Sequence, residues 1–356
     1  MKKTTATINE IAHIAGVSKT TVSRYINGKY EYMSEGTRRR IEKVIADKDY
    51  RPSNIARSMK LSSTRTLGCV VVDISNPITS IIVQGILDAA REYDYSVLFS
   101  STGGDPEKEK SSIESFLLSK VDGLLVNPSG LINDYLLDIK NRGTKIVIID
   151  RIPKDQPMQF DAVRSQNENA IYECVEHLNN QGYKSVALFH IGFQCNQNFI
   201  IRRNAYLKMM RDLYKIDASN MMFEVSNADF RYAYEADLFK LSKSVESVKS
   251  FISMPVPEPK AIFSISATAA LSTLWALQKM ELDDFPSLGF CNFNDWGTAS
   301  IVKNGITTIT QDAHAIGYEA FKLLLLRLKS DKPYNTKLVE VPNRLMIRTS
   351  TKLKKE

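Results

Sequence analysis

Lys19, Thr20, Thr21, Ser23 and Arg24 crowd into one short stretch of the chain. Their side chains suit one kind of chemistry, hydrogen bonding to the base edges and phosphates of duplex DNA. Lys and Arg donate to guanine, Thr offers a hydroxyl or a methyl, and Ser23 with Asn27 suits phosphate oxygens. On an isolated helix the same residues would be no more than a solvated basic face, so the setting decides. Other chemistries find little footing. The 356 residues contain no GxGxxG after a strand, no GxxxxGK[ST] and no GxSxG, so dinucleotide binding, P-loop hydrolysis and a hydrolase nucleophile have no support. His13, His177, His190 and His314 show neither HxxxH nor HExxH spacing and are expected as surface or satisfied core histidines rather than metal ligands. Asp312 and His314 could suggest acid/base work, but no nucleophile accompanies them. Cys69, Cys174, Cys195 and Cys291 form no CxxC and are expected as buried thiols of a cytoplasmic chain. No cofactor and no metal are called for, and an enzyme is not expected.

The elements around the basic stretch make it specific. Thr7-Ile8-Asn9-Glu10 fits a capping box, which predicts a helix beginning at Ile8 with Ile8, Ile11, Ala12 and Ala15 as its apolar stripe. Gly16 interrupts the pattern, and Ser18 is a good N-cap for a second helix over 19–26. Asn27-Gly28 ends that helix. Ser34 then caps a third, whose Ile41, Val44 and Ile45 can close a small core. A core of this size suits a helix-turn-helix head, in which the second helix enters the major groove. Charge agrees. Residues 1–65 hold 14 Lys and Arg against 6 Asp and Glu, a net of +8, whereas the remainder holds 33 against 34, a net of −1. All the excess positive charge lies where phosphates would be met.

The chain is long enough for two or three domains. No apolar run approaches the roughly 18 residues of a membrane span, and Met1-Lys2-Lys3 runs into polar residues without an apolar h-region, so export is not expected. From Leu67 onward strand-like and helix-like segments alternate: strands over 67–74, 96–100, 123–127 and 145–150, with helices over 78–93, 108–118 and 135–142. A second set follows, with helices over 167–181 and 201–214 and strands over 185–190 and 261–265. Strands this apolar must be covered on both faces, which predicts parallel sheets in two similar lobes with a ligand cleft beyond the C-terminal strand ends. The expected fold is therefore an all-α head joined by a hinge helix to a two-lobed α/β core. Arg51-Pro52-Ser53-Asn54 breaks the chain and permits a short helix over 53–60, too short to persist alone.

Ile8-Asn9-Glu10-Ile11-Ala12, Ala15-Gly16-Val17-Ser18, Thr21-Val22-Ser23-Arg24 and Asn27-Gly28 resemble the DNA-binding head of LacI-type bacterial regulators, and the likeness runs on through Tyr50-Arg51-Pro52, Ala56-Arg57-Ser58-Met59 and Thr64-Arg65-Thr66-Leu67-Gly68. The resemblance implies base reading by Lys19, Thr20 and Arg24 and phosphate contact by Ser23 and Asn27. It further implies a hinge carrying Asn54 and Arg57, in which Met59, in place of the usual Leu, wedges open the central minor-groove step. Asn76-Pro77, Asp150-Arg151, Gly289-Phe290, Gly305-Ile306-Thr307-Thr308 with Gln311, and 345–351 resemble the family's effector core, similar in fold to periplasmic sugar-binding proteins. The implied division is a head over 1–50, a hinge and linker over 51–65 and a core over 66–356. Within the core, an N-lobe is expected at about 66–160 plus 293–325 and a C-lobe at about 161–292 plus 326–351.

Asn76, Ser101, Asn127, Asp150 and Arg151 fall just past strand ends and are expected to face the cleft. Arg202, in Arg202-Arg203-Asn204-Ala205-Tyr206, resembles the family's effector-gripping arginine, with Ala205 in place of a glycine. Ser266-Ala267 stands where many relatives have Asn-Asp, and Cys291-Asn292 where an Asp commonly follows Gly-Phe, so Ser266, Asn292 and Asp295 complete the expected effector set. The exchange removes acidic groups and favours an anionic ligand, and Asn294-Asp295-Trp296 resembles the subgroup that responds to sugar acids such as ketogluconates. The implied partners are a pseudo-palindromic operator in duplex DNA, a sugar or sugar-acid effector and a second copy of the chain. Residues 349–356 carry no heptads, so a dimer is the expected end point. A repressor released by its effector is the expected function, and a small-molecule binding protein or enzyme with an incidental basic head is the alternative.

Overall fold

The computed structural model describes residues 6–26, 28–50, 63–152, 159–192, 197–226, 242–282, 287–295, 297–302, 305–330 and 335–353. Asn27, Asn54, Arg57, Met59, Cys195, Trp296 and the expected hinge helix lie outside the described residues. The chain divides into two compact units, Met1–Arg65 and Thr66–Glu356.

Among its described residues the first unit is a helical head of α1 (Ile8–Ile14), α2 (Lys19–Ile26) and α3 (Glu35–Asp47), with a 3-10 turn at Tyr30–Tyr32. The capping box forms in both directions: Thr7 N–H donates to Glu10 Oε2 at 2.6 Å and Glu10 N–H to Thr7 Oγ1 at 3.3 Å. Ser18 and Ser34 accept from Thr21 N–H and Thr37 N–H at the starts of α2 and α3. Gly16 takes the left-handed conformation, φ +62°, that lets α1 turn sharply into α2. Ile11, Ala12, Ala15, Val22, Ile41 and Val44 are buried together at the centre.

The second unit holds two six-stranded sheets. The first contains β1 (Thr66–Val71), β2 (Ser96–Ser101), β3 (Gly123–Val126), β4 (Ile146–Ile149), β5 (Asp161–Ser165) and β11 (Leu338–Val341), in the order β11-β5-β4-β3-β1-β2. The second contains β6 (Ser185–His190), β7 (Met222–Glu224), β8 (Lys260–Ser264), β9 (Gly289–Phe293), β10 (Thr307–Gln311) and β12 (Asn343–Met346), in the order β12-β10-β9-β8-β6-β7. Among the described residues all strand pairings are parallel except β10 with β12. The helices are α4 (Pro77–Glu92), α5 (Pro106–Leu118), α6 (Asn133–Asn141), α7 (Asn167–Gln181), α8 (Gln197–Leu213), α9 (Ser242–Ile252), α10 (Ala267–Lys279) and α11 (Ala313–Leu328). They cover faces that the central strands bury completely, β3, β4 and β8 among them.

The lobe ranges expected from the sequence need correction. β10, expected in the N-lobe, lies in the second sheet between β9 and β12, whereas β5 and β11, expected in the C-lobe, pair with β4 and with each other in the first. The chain therefore crosses between lobes after β5, after β10 and between β11 and β12. Those ranges follow from the family resemblance rather than from a strand pattern, and β11, largely exposed at the sheet edge, has no apolar run that would reveal its neighbour. α11 belongs to the first lobe and packs on α4 at two glycines, where a Cβ on Gly85 would stand 2.1 Å from His314 O and one on Gly317 1.9 Å from Ile82 O.

The described cysteines, Cys69, Cys174 and Cys291, are free and buried. His314 pairs with Asp88 of α4 at 3.1 Å, and Asp312 caps α11 by accepting from Ala315 N–H, so their spacing serves structure. Among the described residues no cluster of His, Cys, Asp or Glu could hold a metal, and no helix is long and apolar enough to cross a membrane.

Candidate functional site

On the head, Lys19, Thr20 and Arg24 are exposed along α2 and Ser23 is half-buried, opposite the buried Val22. Thr21 is less available than expected. Its hydroxyl lies 2.9 Å from Ser18 Oγ and its N–H caps on the same oxygen, so the side chain is drawn into the helix start.

In the core, the C-terminal ends of the strands enclose a cavity of about 380 Å³, the place where open parallel sheets bind ligands. The first lobe contributes Asn76 at the start of α4, Asn127 and Ser129 after β3, and Asp150 and Arg151 after β4. The second contributes Ile191, Asn198, Phe199, Arg202, Ser266, Thr268 and Asn294, with Gln311 at a crossing. Of the expected effector residues the structure brings together Asn76, Asn127, Arg151, Arg202 and Ser266.

Three do not join them. Ser101 ends the edge strand β2 and accepts from Ile74 N–H at 3.2 Å, outside the cavity lining. Asn292 is buried within β9 and donates to Asn294 O at 2.6 Å. Asp295 is held by Arg348 at 2.7 Å and by Thr308 and Gly297 N–H. The turn after β9, with Asn294 at φ +83°, brings Asn294 to the cavity and leaves Asp295 to an ion pair that fastens the end of the chain. Asn198 and Phe199 went unrecognised, although 198 and 202 share a helix face four residues apart.

Arg202 is 3% exposed. Its Nε donates to Asn167 Oδ1 at 2.8 Å and its Nη1 to Ile265 O at 3.0 Å, while the guanidinium lies 3.5 Å from the centroid of the Phe293 ring. Nη2 has no acceptor among the described residues. Burial pushes the Arg202 pKa down to about 9, opposed by the Asp150 carboxylate, so the group is cationic at neutral pH. Arg151 is lowered by burial too, with Asp150, Glu109 and Asp73 opposing. A relay links the lobes: Asp150 accepts from Asn198 Nδ2 at 3.1 Å, Asn198 Oδ1 accepts from Asn167 at 3.3 Å, and Asn167 holds Arg202. Glu109, whose carboxyl burial raises, accepts from Ser129 N–H at 3.1 Å and fixes the loop after β3. Among the described lining residues two guanidinium groups face one carboxylate. Asn294 lines the cavity, and its Oδ1 is buried with no donor among the described residues.

His190, one residue before the lining, is 7% exposed and accepts from Gly192 N–H through Nδ1 at 3.0 Å. Burial pushes its pKa down to about 4; Glu224 opposes, and Lys243 and Arg203 reinforce the shift. The native state thus holds His190 neutral where an unfolded chain, with a histidine pKa near 6.5, would protonate it. Its stabilisation, about 3 kcal/mol at most, is complete above about pH 6.5 and is lost as the pH falls toward 4. Urea melts across that window are expected to show a shallower acid decline for His190→Gln than for the parent; identical slopes would dismiss the assignment.

A helix-turn-helix head and a two-lobed, periplasmic-binding-protein-like core in one chain define a ligand-responsive transcriptional regulator. The models for bacterial regulatory proteins of the lacI family match residues 7–53, those for periplasmic binding proteins and the sugar binding domain of the LacI family match 64–227, and the periplasmic binding protein-like domain matches 175–351. The HTH-type transcriptional regulator PtxS of Pseudomonas aeruginosa is 30% identical over 97% of this chain and 95% of its own length. KdgR of Bacillus subtilis, also an HTH-type transcriptional regulator, is 30% identical over 93% and 94%. The lac repressor dimer solved with operator and the anti-inducer ONPF shares the fold, with a TM-score of 0.79 at 21% identity over 98% of this chain and 99% of that one. The chain belongs to the LacI family of transcriptional regulators.

Proposed function

We propose that the protein is a repressor acting inside the cell as a homodimer on a pseudo-palindromic operator, and that a sugar acid in the inter-lobe cleft releases it. The observation that carries the ligand class is the pairing of Arg151 from one lobe with Arg202 from the other around a cavity whose lining, among the described residues, offers one carboxylate, that of Asp150. Neutral sugars are held by carboxylates that accept from hydroxyls, whereas a carboxylate ligand needs cationic donors, and guanidinium groups supply them in forked geometry. Asn76, Asn127, Asn198, Ser266, Asn294 and Gln311 supply the neutral donors and acceptors for hydroxyls.

Arg151 and Arg202 come from different lobes, so an anion that engages both favours the closed arrangement by its differential contacts. Closure has to reach Lys19, Thr20, Ser23 and Arg24 along the chain through residues 51–65, at the end of the first unit. Asn27, Asn54, Arg57 and Met59 are assigned to the same DNA-contacting set on the strength of the family resemblance.

Two measurements test this reading. Gel shifts of the full chain on its genomic fragments are expected to show a specific complex that a sugar acid dissociates. Thermal shifts are expected to show stabilisation by aldonic or ketoaldonic acids and not by their neutral parent sugars; a ligand at 100 times its Kd adds about 2.7 kcal/mol. Stabilisation by neutral sugars alone would reject the anionic ligand, and the absence of any specific DNA complex would reject the repressor.

A further inference from the structure

The connection between α2 and α3 is pinned at both ends. Gly28, at φ +71°, donates its N–H to Tyr25 O at 3.0 Å, Lys29 N–H donates to Arg24 O at 2.9 Å, and Met33 packs against the head core. Between these anchors the Tyr30–Tyr32 turn leaves two aromatic rings outside that core, Tyr30 39% and Tyr32 59% exposed. Such rings add little to folding, and each has an arginine upon it. The Arg24 guanidinium lies over the Tyr32 ring, 4.9 Å from its centroid, and that of Arg38 over the Tyr30 ring at 4.1 Å. Tyr30 is itself braced edge-on by Tyr25, with centroids 5.6 Å apart. Neither guanidinium makes a hydrogen bond or ion pair among the described residues outside these stacks.

We propose that Tyr32 is a positioning residue for sequence reading by Arg24. A guanidinium over a ring at 4.9 Å gives no N–H to a hydrogen-bond acceptor, so its donors stay available for the O6 and N7 acceptors of a guanine. The ring holds the side chain in place before DNA arrives, and an arginine so restrained loses less rotamer freedom on docking than a free one. Tyr32 thereby sharpens discrimination between sequences without contributing to the charge that binds any duplex. The proposal rests on Arg24 as a base-reading residue, and its test separates the two ideas.

Fluorescence anisotropy of the full chain, at one salt concentration, compares an operator selected from a random duplex library with a scrambled duplex. Tyr32→Leu is expected to lower the operator-to-scrambled affinity ratio about two- to fivefold, equivalent to about 0.5 to 1 kcal/mol, with scrambled affinity unchanged. Tyr32→Phe, which keeps the ring, retains the ratio. In an Arg24→Ala background, where the ratio has already collapsed, Tyr32→Leu has no further effect. An unchanged ratio in Tyr32→Leu overturns the proposal while leaving Arg24 as reader, as does the same loss with and without Arg24. An unchanged ratio in Arg24→Ala alone removes the reader and the proposal with it. Circular dichroism melts of the variants are expected to overlay the parent because both residues are exposed.

Discussion

Arg202→Ala is expected to leave operator affinity unchanged and to abolish the effector response. The residue belongs to the second unit, remote in sequence from the head, it lines the cleft, and its Nη2 group has no acceptor among the described residues. A charge-assisted hydrogen bond is worth about 1.5 to 3 kcal/mol, so effector affinity should fall at least tenfold, and the contact that favours closure falls with it. Truncation also strands Asn167 Oδ1 and Ile265 O, which Arg202 now satisfies, so a thermal melt has to accompany the titration. Arg202→Lys keeps the charge without the fork. For an anionic effector it should retain part of the response, whereas a neutral sugar held by the fork should lose most of it. Calorimetric titration of both variants with the ligand found by thermal shift decides, and parental affinity in Arg202→Ala removes the residue from the site.

Gly317→Ala is expected to be among the most destabilising single-methyl substitutions in the core. A Cβ there meets Ile82 O at 1.9 Å, Ile82 C at 2.9 Å and Ile86 N at 3.0 Å. All three are backbone atoms of α4, so no side chain can swing away and the helices themselves must separate. Alanine gains about 1 kcal/mol over glycine in helix propensity, but overpacking against rigid neighbours costs about 3 kcal/mol or more, and the second effect wins. Gly36 in α3 supplies the contrast. It has nothing within 4 Å of its Cβ position, so Gly36→Ala should be neutral or mildly stabilising. Chemical denaturation of both variants checks the pair, and a Gly317→Ala midpoint equal to the parent's would show that α4 and α11 can part freely.

The head was legible almost residue by residue because its information is local. Thr7 with Glu10, Ser18, Gly16 and Ser34 each specify a cap or turn within four positions, and each cap formed as the spacing implied. The core was legible as alternating strands and helices, and α7 and β6 kept their expected ends. What the pattern could not show is who stands beside whom. β5 and β10 carry the same burial pattern although they lie in different sheets, and the lobe of β11 is decided by its pairing with β5, far away in the chain. The cleft failed for the same reason. Ser101 satisfies the rule that polar residues past strand ends face a cleft, but it ends an edge strand. Asp295 satisfies it too, until Arg348, 53 residues on, claims its carboxylate.

The interleaving of strands between the sheets sets what can be exchanged within this protein. A cut at residue 65 falls between two compact units, each with its own core, so a head can be traded for another without disturbing any strand. No comparable cut exists between the lobes. Severing the chain after β5 removes β11 from the first sheet, and severing it before β11 leaves the second without β12, because each sheet is completed by chain that has already passed through the other. Operator choice can therefore be inherited as a detachable piece. The ligand response changes only by substitution in place, residue by residue, within a fold that has to be kept whole.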